Sequence, residues 1–333
     1  MSNTINLASI YLPYLDEIYK ADAKTAILEG NESEATVRLD DHGNVQVAKI
    51  SMDGLGDFSR SSGYTTGDVS LAWETVAWDR ERSQDLRVDR LDNTESLDII
   101  AANLMGEFMR TKVIPETDAA RIAKIASTAN IGSKTEALAT GAAVIAALRT
   151  ATSTMDEAEV SMENRILFIT PTYRGLIQDM DTTKSKEVLQ RFSDIIEVPQ
   201  TRMYTRITLN SGLSSYGYQV AAAEYAKTTD VAVVEGKTYY TKAGDVYSAV
   251  AEPATASIAN YYEMTAPAGA PLNFLVVQRR AAAAKLAQYL KYFTPDQDQN
   301  GDSHVFKYRN NNLYAHVFDN KKAGVYASIT SQA

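Results

Sequence analysis

The sequence contains no cysteine among its 333 residues and only three histidines. Disulfide bonds, thiolate chemistry and cysteine-based zinc sites are therefore excluded. Apolar runs are short, and none approaches the roughly 20 residues that a membrane-spanning helix needs. The N-terminal residues lack a basic stretch followed by an apolar one, so they do not read as a signal peptide. These absences predict a soluble protein made in a cytoplasm.

Basic residues are fewer than acidic ones: the sequence has 33 Lys and Arg and 42 Asp and Glu, which gives a net charge of −9. No basic face or tail is visible, which argues against a protein that grips nucleic acid. Apolar residues make up 45% of the chain, enough for a substantial core. The length predicts about two domains.

Motifs of the common enzyme classes are missing. His42, His304 and His316 show neither the H-E-x-x-H nor the H-x-H spacing that metal chemistry favours. No G-x-S-x-G elbow and no G-x-x-x-x-G-K-[ST] loop occurs. The sequence therefore predicts no catalytic residue and no cofactor.

One short stretch resembles a metal site. Asp296, Asp298 and Asn300 precede Gly301, as in the first half of a calcium-binding loop. Lys307 stands where such a loop supplies a bidentate glutamate, and its positive charge opposes cation binding. A solvated acidic turn is therefore the favoured interpretation, with a weak calcium site as the alternative.

The longest helical pattern begins near Thr94, a candidate N-cap, and continues to about Ala129. Glu95 and Asp98 would place negative charge at its N-terminus. The apolar residues that recur at three- and four-residue steps are Leu97, Ile100, Ala101, Leu104, Met105 and Phe108. Pro115 interrupts the pattern because it lacks an N–H group. The sequence predicts a kinked helix or two abutting helices.

Residues 37–90 alternate in the manner of two long β-strands with a wide tip between them. Leu71 and Trp73 alternate with polar or small neighbours, as do Leu86 and Val88. The tip is too polar for a core, and its glycines are Gly54, Gly56, Gly63 and Gly67. Because a two-stranded hairpin is marginally stable in water, we expect this one to lie on another surface.

The middle of the chain alternates helix and strand, which predicts an α/β domain. Ser133 and Glu136 match a capping box that opens a helix. Residues 165–169 read as a buried strand, and Pro171 opens the next helix. After residue 271 we expect a buried strand at 272–277, a helix at 281–292, and final strands at 305–308, 314–318 and 324–329.

Residues 227–268 read as a small inserted β module. Two tyrosine-rich strands flank a Lys-Ala-Gly-Asp turn at 242–245. The tyrosines either build the module's own core or serve recognition of a partner, and the sequence leaves both interpretations open.

Short stretches in a fixed order carry a resemblance to a known family. They include DGLGDFSR at 53–60, EFMRTKVIPETDAAR at 107–121, VPQTRMY at 198–204, NFLVVQRRA at 273–281 and FDNKKAGVYASI at 318–329. In order and spacing, this series resembles the major capsid proteins of tailed double-stranded DNA bacteriophages with the HK97-type fold. The resemblance runs from about residue 5 to residue 329 and fails only in the β module.

The resemblance implies an α+β fold in four parts. They are an N-terminal arm at 1–36, an extended hairpin loop at 37–90, a peripheral domain at 91–130 and 296–333 with a long spine helix, and an axial α/β domain at 131–295 that carries the module. A short helix at 12–19 in the arm would bury its apolar edge on a neighbouring subunit.

The function that the resemblance implies is a structural subunit of an icosahedral phage capsid, which assembles in the host cytoplasm and resides in the virion. Its partners would be other copies in hexamers and pentamers, a separate scaffolding protein and a portal protein, with DNA only nearby and no membrane. The extended loop would lie on an adjacent subunit. Its candidate contacts are Gly54, Gly56, Phe58, Arg60 and Tyr64 at the tip, and Arg80 and Arg82 at the base.

Three alternatives stay open at this point. The same fold serves encapsulin-like compartments that enclose a cargo enzyme. A soluble α/β enzyme unrelated to capsids would share the acidic composition, although no residues stand out for its chemistry. The hairpin itself fits an ordinary surface hairpin whose charges are solvated.

Overall fold

The computed structural model of the protein describes residues 23–29, 37–39, 45–61, 63–76, 78–95, 99–180, 183–230, 232–250, 258, 260–297 and 301–331. The helix that the sequence predicts at 12–19 lies outside these residues.

The described chain mixes helices and strands. In chain order the helices are α1 (Arg90–Glu95), α2 (Ile99–Phe108), α3 (Ile114–Ala126), α4 (Gly141–Glu157), α5 (Pro171–Gln178) and α6 (Thr183–Leu189). The first strands are β1 (Val37–Leu39), β2 (Val45–Met52), β3 (Val69–Val76), β4 (Arg80–Asp89), β5 (Gly132–Glu136), β6 (Arg165–Ile169), β7 (Asp194–Glu197), β8 (Ile207–Leu209) and β9 (Tyr218–Val220). The remaining strands are β10 (Glu224–Lys227), β11 (Tyr239–Ala243), β12 (Val246–Val250), β13 (Tyr262–Ala266), β14 (Leu272–Gln278), β15 (Ala282–Phe293), β16 (Ser303–Val317) and β17 (Val325–Thr330).

A five-stranded sheet with the order β5-β17-β14-β6-β7 forms the core. Every residue of β6 and β14 is buried, as expected of strands covered on both faces. Phe168 and Leu275 belong to the apolar cluster that includes Ile122 of α3. Leu167 and Phe274 belong to a second cluster with Leu148 of α4. Because neighbouring strand residues point to opposite faces, α3 and α4 lie on opposite sides of this sheet.

The long helix is built as α2 and α3 joined through a π-helical turn at Met109–Val113. Pro115 follows this turn and lies in the first turn of α3, where its missing N–H costs little. The Thr111 hydroxyl donates to the Glu107 carbonyl at 2.8 Å, which satisfies a group in the widened turn. The helical backbone is therefore continuous from residue 99 to residue 126 through the π-helical turn, and Pro115 does not interrupt it as the sequence predicts.

A three-stranded antiparallel sheet with the order β15-β16-β4 packs on α3. The predicted helix at 281–292 is wrong, because residues 282–293 form β15. Alanine-rich sequence favours helix locally, but β15 pairs with β16 from Ala282↔Val317 to Phe293↔Val305. These long-range pairs override the local preference.

The predicted break between strands at 308 and 314 is also wrong, since β16 runs without interruption from Ser303 to Val317. The Asn310 amide donates to the Tyr308 hydroxyl, and the Asn312 amide donates to Asn310 Oδ1, each at 3.0 Å. Both asparagines are buried. These side-chain hydrogen bonds satisfy polar groups of the two buried asparagines, so both residues can lie within the strand.

Two predicted helix caps differ from the structure. Ser133 lies in β5, which pairs in parallel with β17, and α4 begins later with Thr140 as N-cap, whose hydroxyl accepts from the Ala143 amide. Thr94 lies inside α1, where the Asp89 carboxylate accepts from the Leu91 amide at 2.9 Å. At Ser133 the pairing with a distant strand overrides the local capping signal.

Two of the sheets pair strands across the boundary that the sequence predicts between the peripheral and axial domains. β17, near the C-terminus, lies in the five-stranded sheet, whereas β15 joins β4 and β16. None of the helices in the described part of the chain combines the length and apolarity that a bilayer crossing needs.

The β module is a four-stranded sheet with the order β10-β13-β11-β12, so it begins at Glu224, slightly before the predicted start. Tyr225 stacks on Tyr247 with ring centroids 4.0 Å apart. Tyr240 and Tyr262 complete the cluster in edge-to-face contacts. All four of these rings are half-buried, whereas Tyr239 is fully buried in the module. Tyr239 therefore contributes to the module's core, and a role of the other four tyrosines in recognition stays a prediction.

Asp118 of α3 is a buried carboxylate, only 1% exposed, that holds three distant segments together. It accepts the Lys24 amide at 3.0 Å and both the amide and the hydroxyl of Thr25, at 3.1 and 2.6 Å. The buried Arg202 guanidinium donates to it at 2.8 Å. Arg121, one turn along, donates to the Thr25 carbonyl at 3.4 Å.

Replacing this carboxylate tests its role. We expect Asp118→Asn to lower the free energy of unfolding by about 3–5 kcal/mol, because Arg202 is left buried without its counter-charge. Urea unfolding with an unchanged m-value would measure the loss. The control Asp179→Asn, at an exposed site, should stay within about 0.5 kcal/mol of the native chain. Equal stability of the two variants would contradict this role.

The two ends of the module lie close together, so the segment between them can be replaced by a short turn. The Thr228 amide donates to the Tyr261 carbonyl at 3.0 Å, so a two-residue Asn-Gly turn fits in place of residues 229–260. We expect this variant to keep one cooperative thermal transition within a few degrees of the native chain. Loss of the transition would show that the module belongs to the core, and replacing only residues 244–245 by Asn-Gly is the control.

Candidate interaction surface

The stretch at 37–90 forms three long strands, β2, β3 and β4, rather than the two long strands that the sequence predicts. β2 and β3 make a hairpin from Val45↔Val76 to Met52↔Val69, with β1 beside β2. β4 leaves this hairpin and pairs with β16. Residues 53–68 form the wide tip that the sequence predicts.

One face of the hairpin is apolar and exposed. Ile50 lies opposite Leu71, and Met52 lies opposite Val69. On this face the exposed side chains, which we call the hairpin face, are Ile50, Met52, Val69, Leu71 and Trp73, with exposures from 41% to 74%. The other face presents the pairs Ser51↔Ser70 and Lys49↔Ala72. A hairpin with one contiguous apolar face is typical of a surface that another molecule covers.

The tip has a defined conformation. Asp53 and Asp68 close its neck, since the Asp53 amide donates to the Asp68 carbonyl at 3.1 Å and the Asp68 amide to the Asp53 carboxylate at 2.9 Å. Ser59 and Gly63 exchange two backbone hydrogen bonds, with Gly63 at a φ of 83°.

The predicted tip contacts lie together at this end. Phe58 and Tyr64 pack edge to face with centroids 5.2 Å apart, and they are 60% and 91% exposed. A Cβ on Gly56 would lie 2.5 Å from the Thr65 hydroxyl, so glycine permits this close approach. Gly54 and Arg60 are exposed in the same segment. Their contacts with another subunit stay a prediction.

The hairpin is held to the body of the protein by two polar contacts. His316 of β16 contacts the Glu74 carboxylate at 2.6 Å, and Lys49 lies 3.4 Å from the Asp319 carboxylate. A hydrogen bond from Lys322, together with the charges of Lys322 and Lys49, holds the pKa of Asp319 below its usual value. The hairpin is therefore fixed at its base, while its outer half stays exposed.

Of the two predicted base contacts, Arg80 is exposed and Arg82 is half-buried. The Arg82 guanidinium makes a bidentate pair with Glu116 of α3 at 2.7 and 3.0 Å. It also donates to the carbonyl of Asn210 at 2.5 Å. Arg82 thus positions a loop of its own chain. The sequence does not predict this contact, because no local pattern marks it.

The structure describes only part of the acidic turn. Asp296 lies 3.7 Å from Arg90, and Asp298 and Asn300 lie outside the described residues. Within the described ranges, no group of three or more His, Asp or Glu side chains converges in a way that suits a metal ion.

Tyr314 is buried, and its hydroxyl has a raised pKa. Burial, and then the negative charge of Glu116, raises the pKa of Tyr314 to about 12. No side chain or backbone group in the described chain accepts or donates a hydrogen bond at this hydroxyl.

We expect Tyr314→Phe to leave stability at pH 8 nearly unchanged, because the lost hydroxyl makes no protein hydrogen bond. Between pH 10 and 12 the unfolded chain loses the phenolic proton while the folded chain keeps it, so folding weakens as the pH rises. The variant should remove at most about 2.7 kcal/mol of this alkaline loss. Urea unfolding across this pH range measures it, with the exposed Tyr64→Phe as control. An alkaline slope identical to that of the native chain would contradict this assignment.

The fold has relatives among solved structures, although no protein-family model and no curated protein matches the sequence. A structure from Mycobacterium phage Che8 covers 98% of this chain and 98% of its own, with a TM-score of 0.55 and 14% identity. The mature capsid of bacteriophage PhiM1 covers 98% and 92%, with a TM-score of 0.55 and 13% identity. The capsid structure of cyanophage P-SCSP1u covers 98% and 93%, with a TM-score of 0.54 and 12% identity.

Identities this low establish the fold alone. The chain has the mixed α and β fold of these phage proteins, and the prediction of a capsid-type fold is confirmed. The match extends over almost the entire chain.

Proposed function

We propose that the chain is a structural subunit of an icosahedral phage capsid, which assembles into hexamers and pentamers that enclose double-stranded DNA. The observation that carries this proposal is the hairpin face, which is exposed along an element that His316 holds to the body of the protein near its root. The likeness to phage capsid structures supports it.

The occupant of the hairpin face in this proposal is a neighbouring copy. Burial of its five side chains, at about 1.5–3 kcal/mol for a fully buried large apolar side chain, offers a substantial gain even after the cost of association. The tip residues Phe58 and Tyr64 extend the same contact. The net charge of −9 disfavours attraction to packaged DNA.

The wider organisation that we propose is an arm at 1–36, an extended loop at 37–90, a peripheral domain at 91–130 and 296–333, and an axial domain at 131–295. The strands β15 and β17 each pair across the boundary between the last two domains. A separate scaffolding protein and a portal protein are the further partners, assembly takes place in the host cytoplasm, and the virion is the final location. The role is structural and requires no catalytic group.

Sedimentation of the expressed chain, followed by negative-stain microscopy of the fastest fraction, tests this function. Uniform closed shells, or hexamers and pentamers, are the expected result, with a co-expressed scaffolding protein where the chain alone stays small. A chain that remains monomeric under both conditions would overturn the proposal.

A matched pair of variants tests the hairpin face. Leu71→Asp places a charge on the apolar face, and Ser70→Asp places the same charge on the polar face one residue away. We expect Leu71→Asp to leave the subunit folded but to weaken association by about 3–5 kcal/mol, more than a hundredfold, because the carboxylate is buried unpaired. Ser70→Asp should assemble normally. Similar yields of particles from both variants would contradict the proposed contact.

A further inference from the structure

A second exposed surface is one side of the three-stranded sheet β15-β16-β4. The other side of this sheet packs on α3, to which Arg82 of β4 is joined by its pair with Glu116. Residues paired across antiparallel strands point to the same side, so the register assigns the exposed side. It contains two rows of exposed residues, which we call the outer sheet face: Tyr289, Arg309 and Ser83 in one row, and Lys291, Lys307 and Asp85 in the next.

Two lysines lie directly opposite each other at the centre of the outer sheet face. Lys291 of β15 pairs in register with Lys307 of β16, and like charges in this arrangement destabilise a sheet. Neither lysine forms an ion pair with another side chain of the described chain. Lys307 lies over the Phe293 ring, 5.6 Å from its centroid. The single subunit therefore keeps an unfavourable pair of like charges, which an acidic partner would relieve.

The acidic side chains on the same side of the sheet are already engaged. Arg309 donates to both carboxylate oxygens of Glu81, at 2.9 and 3.0 Å. Arg87 lies 3.1 Å from the Asp85 carboxylate, and the Asp89 carboxylate accepts a backbone amide of α1. The two lysines therefore leave an excess of positive charge at the centre of the face, although the whole chain carries −9. Such a local reversal of charge favours an acidic partner.

The tip of the hairpin carries charge of the opposite sign. Residues 53–68 include three aspartates, Asp53, Asp57 and Asp68, and one basic residue, Arg60, so their net charge is −2. The Asp53 carboxylate accepts the Asp68 amide at the neck. Asp57 is exposed, and it forms no ion pair with another side chain of the described chain. It is therefore an acidic group available to a partner.

Aromatic side chains lie beside the charges on both surfaces. Phe58 and Tyr64 at the tip are 60% and 91% exposed, and Tyr289 on the outer sheet face is 58% exposed. Tyr289 precedes Lys291 by two positions on the same strand, and Phe58 follows Asp57. Aromatic residues are enriched in protein interfaces, where surrounding contacts exclude water from the central pairs.

The two surfaces do not pair within one copy. No ion pair joins the tip to the outer sheet face among the described residues. The hairpin is held through Glu74 to His316 near the end of β16, whereas Lys307 lies about 30 Å back along that strand. A pairing of the tip with the face therefore joins two copies head to tail, and such a contact generates a ring where its rotation closes.

Duplex DNA is the other polyanion that a basic surface could take up. Proteins that bind its backbone present several Lys and Arg side chains on one face. Here Arg309 and Arg87 are neutralised by Glu81 and Asp85, which leaves two lysines. This charge suits a short acidic segment better than a DNA duplex.

We propose that the hairpin tip of one copy lies on the outer sheet face of a second copy. Asp57 then approaches Lys291 and Lys307, and Phe58 packs against Tyr289. This inference rests on the proposed capsid function and names the surface that receives the hairpin. The tip continues the hairpin face along the same element, so both parts belong to one contact. Charge complementarity selects its register, because other arrangements bring like charges together.

A charge swap tests the pairing. Asp57→Lys and Lys307→Glu should each raise the subunit concentration needed for half-maximal assembly at least about tenfold, because each places like charges together. The double variant restores a pair of opposite charges, so its assembly should return to within about threefold of the native chain, whereas independent sites would add their effects. Each variant should keep the thermal transition of the native subunit, because both positions are exposed.

Lys184→Glu is the matched control for net charge. Lys184 is exposed on α6, and its reversal changes the net charge of the chain by the same amount as Lys307→Glu. We expect this variant to assemble as the native chain does. An equal loss of assembly in the two variants would overturn the pairing.

The absence of cysteine in the sequence permits a second measurement that leaves the charged residues intact. Ser61→Cys at the tip and Ser83→Cys on the outer sheet face, both at exposed positions, are purified separately, mixed, assembled and treated with a short bismaleimide. We expect a covalent pair on a denaturing gel beyond what either variant gives alone. The control mixes Ser61→Cys with Ser133→Cys, which is exposed on β5, and should give no such pair.

The outcomes separate the two proposals. Particles that form without the cross-linked pair, or a charge swap that restores nothing, would overturn the tip contact and leave the capsid function standing. Binding of a short DNA duplex, measured by fluorescence anisotropy and lost in Lys307→Glu while that variant still assembles, would assign the face to DNA and overturn the tip contact as well. A native chain that stays monomeric with and without scaffold would overturn both proposals.

Discussion

The buried Asp118 carboxylate is the constraint on which the remaining structure depends. Taking a charge out of water is costly unless several donors surround it. Here the donors come from Lys24 and Thr25, more than 90 positions away along the chain, and from Arg202, 84 positions away. The carboxylate is satisfied only when the N-terminal segment, α3 and the segment before β8 have all reached their places. A single buried charge thereby ties together parts of the chain that share no secondary structure.

The position of α3 decides where the interaction surfaces lie. The helix is buried nearly all round, with the five-stranded sheet packed against it through Ile122 and Ile125 and β16 also in contact. Two residues before Asp118, Glu116 holds Arg82, and Arg82 donates to the Asn210 carbonyl in the loop at 210–217. The hairpin has no such internal support beyond its root, so its apolar face points away from the core. The apolar side chains of the hairpin face are therefore exposed at the surface of the subunit.

Sequence reasoning succeeded where the signal is local and failed where a distant strand decides. The turn at 242–245, the strand Arg165–Ile169 and the helix opened by Pro171 follow from neighbouring residues. The alanine-rich segment 282–293 has a helical composition, yet its pairing with β16 makes it a strand. At the candidate surface, the exposed tip with Phe58 and Tyr64 could be predicted from its glycines and polarity. The Arg82 clamp could not, because its partners Glu116 and Asn210 lie 34 and 128 positions away.

The hairpin face is an apolar surface that stays exposed in a single copy. It extends from a root that is held by His316 and Asp319. In the proposed closed ring, every copy would make the hairpin contact twice, once as donor of the hairpin and once as its acceptor, and closure would add contacts without further loss of translational freedom. Such a subunit is expected to associate weakly in pairs and firmly in complete rings, which is the behaviour that a shell assembled from reversible steps requires.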